Sequence, residues 1–163
     1  SIGRLEEGKL QIQAEEIDLE ELCYHTMEEI QGLLKEGQKI QFESEGAPRN
    51  AFLDEKILKN VLFNLISNAI KYSEKPVKLK LKFKEEDFQV EVVDYGMGIP
   101  ENEQKHLFSR FFRASNVTNI QGTGLGLNIV KKYVELLNGE IDFQSEVDHG
   151  TKFFIRIPYG NNS

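Results

Sequence analysis

NLISNAIKY, running from Asn64 to Tyr72, reads as part of a helix with two different faces. Ile57, Leu58, Val61, Leu62, Leu65, Ile66 and Ala69 recur at helical spacing, so one broad face of the segment is expected to pack into a core. Asn60, Asn64, Asn68 and Lys71 fall together on another stripe. Asparagine is a poor helix former because its side chain competes for backbone hydrogen bonds, so three of them at four-residue intervals call for a compensating use. A neutral amide oxygen suits a hard cation, and a lysine one turn further on can reach a phosphate. Taken alone, the stripe is better read as a solvated helix face.

Working outward, Asp54 is placed to cap this helix, and Lys75-Pro76 to break it from the next strand. Val77 to Lys84 alternates apolar residues with lysines, the pattern of a strand with one buried and one solvated face. Phe88 to Val93 returns as its hairpin partner and runs into Asp94-Tyr95-Gly96-Met97-Gly98-Ile99-Pro100. Two glycines at alternate positions allow positive φ and close approach, while Asp94 at the strand end is a pure acceptor able to read an amino group. A tight turn with an Asx cap gives the same pattern. From Glu101 to Gln121 the chain is irregular, with an aromatic knot at Phe108, Phe111 and Phe112, and reads as a lid carrying Arg110 and Arg113. Gly122-Thr123-Gly124-Leu125-Gly126-Leu127 then opens a helix ending near Leu137, with Asn138-Gly139 as its stop. Glycines there leave helix N–H groups open to anions. The run lacks the Gly-Lys-Ser/Thr of a P-loop, and Leu127 stands where a dinucleotide fingerprint needs glycine. Glu140 to Ser145 and Thr151 to Ile157 form a last hairpin.

Upstream, Leu10 to Gln13 reads as a short strand. A helix begins after Asp18, a capping residue with Glu21 three positions on, and its stripe of Leu19, Leu22, Cys23, Met27, Ile30, Leu33 and Leu34 continues until Gly37. Lys39 to Glu43 and Ala51 to Leu53 are the remaining strands. The 163 residues suit one domain, and no apolar run is long enough to span a membrane. Twenty Lys plus Arg against 27 Asp plus Glu, net −7, argue against duplex nucleic acid as the main partner. A single cysteine, Cys23, and the lack of a leader pattern point to a reducing, cytoplasmic compartment. The opening at Ser1 suggests a fragment of a longer parent, which leaves a membrane anchor on that parent open.

The segments NLISNAIKY, DYGMGIP, LFSRFFR and GTGLGL, in this order between Asp54 and Pro158, strongly resemble the catalytic ATP-binding domain of sensor histidine kinases. That superfamily includes topoisomerase II, heat-shock chaperone and mismatch-repair ATPases. The resemblance implies a two-layer α/β sandwich, one mixed sheet covered on one face by three helices, with an ATP lid. It further implies that residues 1–8 end an upstream dimerisation-domain helix, that 9–160 form the catalytic domain, and that 161–163 are a polar tail. By the same resemblance Asn68, with Asn64, coordinates magnesium on the ATP phosphates; Lys71 contacts a phosphate; Tyr72 lies along the adenine or ribose. Asp94 would accept the adenine amino group, Gly96, Gly98 and Ile99 shape the base pocket, and Thr151 supports it. Arg113 would approach the γ-phosphate, with Gly122, Thr123, Gly124, Leu125 and Gly126 around the phosphates.

Such a site supplies the donor half of phosphoryl transfer by positioning and charge neutralisation. The family's phosphorylated histidine precedes an acidic residue on a dimerisation helix, a context that His25, His106 and His149 lack. The expected acceptors are therefore outside the chain: a histidine on the parent's dimerisation domain, then a response-regulator receiver. The chain alone is expected to be monomeric and not to phosphorylate itself. An ATP-hydrolysing conformational switch is the other reading, but relatives of that kind carry a glutamate as general base where Asn64 stands. A regulatory, non-catalytic ATP-binding domain is the third.

Overall fold

The computed structural model describes residues 11–109 and 125–160. Its elements in order are β1 (Glu15–Ile17), α1 (Leu19–Ile30), a 3-10 turn at Gln31–Leu33, β2 (Ile40–Glu45), β3 (Ala51–Leu53) and α2 (Glu55–Lys71). Next come β4 (Val77–Phe83), β5 (Asp87–Asp94), the one-turn α3 (Glu101–Gln104), α4 (Leu125–Leu136), β6 (Glu140–Glu146) and β7 (Gly150–Pro158). Five strands form one sheet in the order β2-β4-β5-β7-β6, parallel only between β2 and β4, and β1 pairs with β3 in a separate two-stranded ribbon. The mixed sheet and its helices are the expected α/β sandwich.

Alternation decides which face is covered. Val77, Leu79, Leu81, Phe88, Val90, Val92, Phe153, Ile155 and Ile157 are buried on one side of the three central strands. The residues between them form a mostly charged outer face, interrupted by Gln89, Val93 and Phe154, where Glu91 sits between Lys82 (3.0 Å) and Lys152 (3.2 Å) and Lys80 reaches Glu45 (3.5 Å). The β4 lysines thus link neighbouring strands as well as keeping the face wet. Helix α2 crosses the covered face, packed on β4 and β5, with α1 and α4 at its sides. Among the described residues no helix is long and apolar enough to cross a membrane.

Two expectations need correction at the N-terminal side. Residues 11–13 are not a strand; the strand begins at Glu15, where Ile17 can be buried opposite Ala51. The Gln13 amide is instead taken by the Asp54 carboxylate at 2.9 Å. The α1 stripe stops at Ile30, since the chain tightens through Gln31–Leu33 and leaves Leu33 47 % exposed. Thr26, not foreseen as core, is fully buried and donates its hydroxyl to the Leu22 carbonyl at 2.8 Å. Residues 1–8 and 161–163, named above as a helix end and a tail, lie outside the described residues.

Candidate functional site

Helix α2 begins where Asp54 accepts the Ile57 N–H at 3.2 Å, and its seven foreseen apolar positions are all buried. That anchoring leaves Asn60 and Lys71 exposed and Asn64 and Asn68 half-buried on the far stripe. The Asn64 side-chain amide donates to the Asn60 carbonyl and side-chain oxygens, both at 2.8 Å. Among the described residues, neither the Asn64 nor the Asn68 side-chain oxygen accepts a hydrogen bond. Nor does any cluster of three His, Cys, Asp or Glu there suit a metal. A cation in this region would meet neutral oxygens.

The second wall comes from the end of β5. Asp94 is the last residue of the covered face, 7 % exposed, and accepts the Gly96 N–H at 3.0 Å and a bond from the Thr151 backbone. Burial pushes its carboxyl up to about 6, against the two N–H groups that pull it down. Gly96 is dictated by contact: a Cβ there would lie 2.0 Å from the Tyr72 carbonyl oxygen. The aspartate turn is therefore pressed onto the end of α2, which brings Asp94, Gly96 and Tyr72 into one place. Gly98 adopts φ +70, and a Cβ on it would meet the Glu146 carbonyl at 2.1 Å.

The turn is held by residues that the motifs did not flag. The Ser145 hydroxyl accepts the Ile99 N–H at 2.8 Å and lies 2.7 Å from the Thr151 hydroxyl. Gln104 donates to the Ile99 and Ser145 carbonyls, both at 3.0 Å, and Asp148 N–H reaches the Met97 carbonyl at 2.9 Å. Only the position of Ser145 on a strand paired with Thr151 could have hinted at this. A depression of about 260 Å³ is lined by Asp94, Tyr95, Ser145, His149, Thr151 and Lys152 among others, with no residue of α2 in its wall.

Phe108 packs edge-on against Phe143 and Phe153 at 5.9 and 6.4 Å. Its companions Phe111 and Phe112, the arginines Arg110 and Arg113, and Gly122, Thr123 and Gly124 lie outside the described residues. Leu125 and Gly126 open α4, whose Val130, Tyr133, Val134 and Leu137 are buried. His25, His106 and His149 are all exposed. His25 lies 3.8 Å from Glu21 on its own helix, and the His149 ring is 3.2 Å from the Val147 carbonyl.

Residues 53–161 match the family of histidine kinase-, DNA gyrase B- and HSP90-like ATPases. The chain is 33 % identical to the autoinducer 2 sensor kinase/phosphatase LuxQ of Vibrio vulnificus, over 96 % of this chain and 20 % of that protein. It is 34 % identical to the sensor histidine kinase MtrB of Mycolicibacterium paratuberculosis, over 96 % of this chain and 28 % of that one. It thus spans about a fifth to a quarter of the length of these relatives. The full-length ShkA structure, in complex with AMPPNP, superposes with a TM-score of 0.86 at 24 % identity, covering 99 % of this chain and 34 % of ShkA. A nucleotide-free catalytic domain of the histidine kinase ThkA gives 0.76 at 29 % identity, over 91 % of this chain and 97 % of ThkA's. The chain belongs to the histidine kinase-, DNA gyrase B- and HSP90-like ATPase family, as an ATPase domain of the sensor histidine kinase kind.

Proposed function

We propose that this chain binds Mg-ATP and donates the γ-phosphate to a histidine on a separate dimerisation domain of its parent, from which a response-regulator receiver takes it. The carrying observation is the buried Asp94 acceptor, fixed by Gly96 and Thr151 in a turn pressed against the end of the asparagine helix. The residues present fit the ligand: Asp94 is a desolvated acceptor for an amino group, and the two asparagine oxygens without protein donors among the described residues suit a hard cation. When bound, magnesium neutralises charge on the phosphate oxygens.

Asp94 accepts from the adenine amino group, and Gly96, Gly98 and Ile99 shape the base pocket through the tight turn they build. Tyr72 lines the base or ribose, and Thr151 holds the Asp94 carboxylate from β7. Asn68 and Asn64 offer their amide oxygens to the cation, and the Lys71 ammonium meets a phosphate oxygen. Arg113 approaches the γ-phosphate, with Gly122, Thr123, Gly124, Leu125 and Gly126 around the phosphates. Asn64 cannot take a proton from water, so hydrolysis is slow and the phosphoryl group waits for its histidine acceptor. We assign residues 9–160 to this domain, expect the chain to be a cytoplasmic monomer without nucleic acid, and place the acceptor outside it because none of its three histidines is followed by an acidic residue: His25 precedes Thr26, His106 Leu107 and His149 Gly150.

Calorimetric titration with Mg-ATP and Mg-GTP tests the reading, repeated on Asp94→Asn. Wild-type protein binds ATP and not GTP. In the mutant the amide oxygen keeps the Gly96 N–H while its NH₂ faces the adenine donor, so ATP binding is lost. Failure of wild-type protein to bind ATP overturns the proposal. Acid-labile phosphate on the chain alone would refute the external acceptor, and rapid ATP turnover without a partner would favour a conformational ATPase.

A further inference from the structure

Six polar contacts from two residues outside every motif converge on the C-terminal end of α2 and the turn after it. The Lys35 ammonium, in the link between α1 and β2, donates to the carbonyls of Ile70 (2.7 Å), Lys71 (3.2 Å) and Ser73 (2.6 Å). Gln38, 6 % exposed, donates from its side-chain amide to Ser73 (2.9 Å), Lys75 (3.1 Å) and Ile70 (3.4 Å), and its oxygen accepts the Lys35 N–H at 3.1 Å. The last carbonyls of a helix have no intrahelical donor and carry its negative dipole end, so an ammonium there is favourable and directional. The two residues act as one clamp, since the Gln38 oxygen sets the backbone from which Lys35 extends.

The clamp holds a wall of the nucleotide site. Between Ile70 and Ser73 lie Lys71 and Tyr72, and the Tyr72 carbonyl and Ser73 Cβ are the atoms against which Gly96 is pressed. Gly96 in turn donates to Asp94. A shift of the 70–73 carbonyls therefore moves Gly96 and reaches the Asp94 carboxylate.

We propose that Lys35 and Gln38 are positioning residues for nucleotide binding, fixing the end of α2 and through it the Gly96–Asp94 turn. This rests on the nucleotide-binding reading above. Lys35 acts through backbone carbonyls and not on phosphate, because its ammonium is engaged by three of them.

The test uses the 163-residue chain with Lys35→Met, Lys35→Gln and Lys35→Arg, all titrated with Mg-ADP and Mg-ATP at a temperature where each is folded. Lys35→Met weakens both nucleotides by the same factor, about tenfold, as when a group that orients a ligand-binding residue is removed. Lys35→Arg, which keeps several donors, restores wild-type affinity. Lys35→Gln keeps one amide donor, loses an intermediate amount, and serves if Met weakens folding. The amide resonance of Gly96 moves in Lys35→Met without any nucleotide and returns in Lys35→Arg. A merely structural clamp would lower the melting temperature and leave affinity and the Gly96 resonance as in the wild type, overturning the proposal. Loss confined to ATP would also overturn it, marking Lys35 as a direct phosphate contact. If the wild-type chain binds neither nucleotide, the binding reading fails, and an unmoved Gly96 resonance is the separate result that would sink the clamp.

Discussion

Asp94 has its charge buried where water would otherwise solvate it, and two backbone N–H groups offset only part of that cost. Its folded titration point, about 6, lies above the ordinary 3.8, so the fold prefers the protonated acid. Stability from that preference is full below the unfolded value and is lost as pH rises through about 6. The stability difference between Asp94→Asn, whose side chain does not titrate, and the ligand-free wild type should therefore shift in the mutant's favour by roughly 3 kcal/mol from pH 3.5 to pH 8. Thermal melts at the two pH values check this. Nucleotide recognition has the opposite sign, because only the ionised carboxylate accepts freely. Affinity for ATP should fall as pH drops through about 6, with proton release on binding near that pH, read from heats in two buffers. Asp94 was legible because it ends an alternating strand ahead of two glycines. Gln38 was not, since the carbonyls that satisfy it are more than 30 residues away in sequence. Thr26 falls on the α1 stripe by spacing, but its hydroxyl hid a residue that satisfies itself within the helix.

Among the elements, the β6–β7 hairpin does more than close the sheet. Its Ser145 hydroxyl ties Ile99 and Thr151 together, so it fixes both sides of the aspartate turn. Ser145→Ala strands the Ile99 N–H and should cost about 1–2 kcal/mol of stability, measured by urea unfolding. The same variant should weaken ATP binding, whereas an alanine at the exposed Ser44 on β2 should change neither. Helices and strands could be read from sequence because their apolar periods are clean: α2 has seven foreseen core positions and all are buried. Their ends and partners could not. Nothing local in Lys39 to Glu43 announces a parallel partner at Val77, or the extension to Glu45 that β4 supports. The strand expected at residues 10–13 shows the same limit, because Asp54 and Ala51 far down the chain decide where pairing begins.

At the scale of the molecule, the one parallel pair explains why the asparagine helix is where it is. Strands β2 and β4 run the same way, so the chain between them must cross the sheet, and β3 and α2 are that crossing. The resemblance fixed the two-layer arrangement, while the strand order β2-β4-β5-β7-β6 came only with the structure. This wiring also has a history in time. The hairpins β4–β5 and β6–β7 join neighbours in sequence and can zip early, whereas β2 must wait for its distant partner across the crossing. During refolding, amide protons of β4 and β5 should thus gain protection from exchange before those of β2, as pulse-labelling would record. The nucleotide-binding wall, carried by the segment that bridges β2 and β4, would be among the last parts to reach its final shape, so a newly made chain acquires its appetite for ATP only when folding is essentially over.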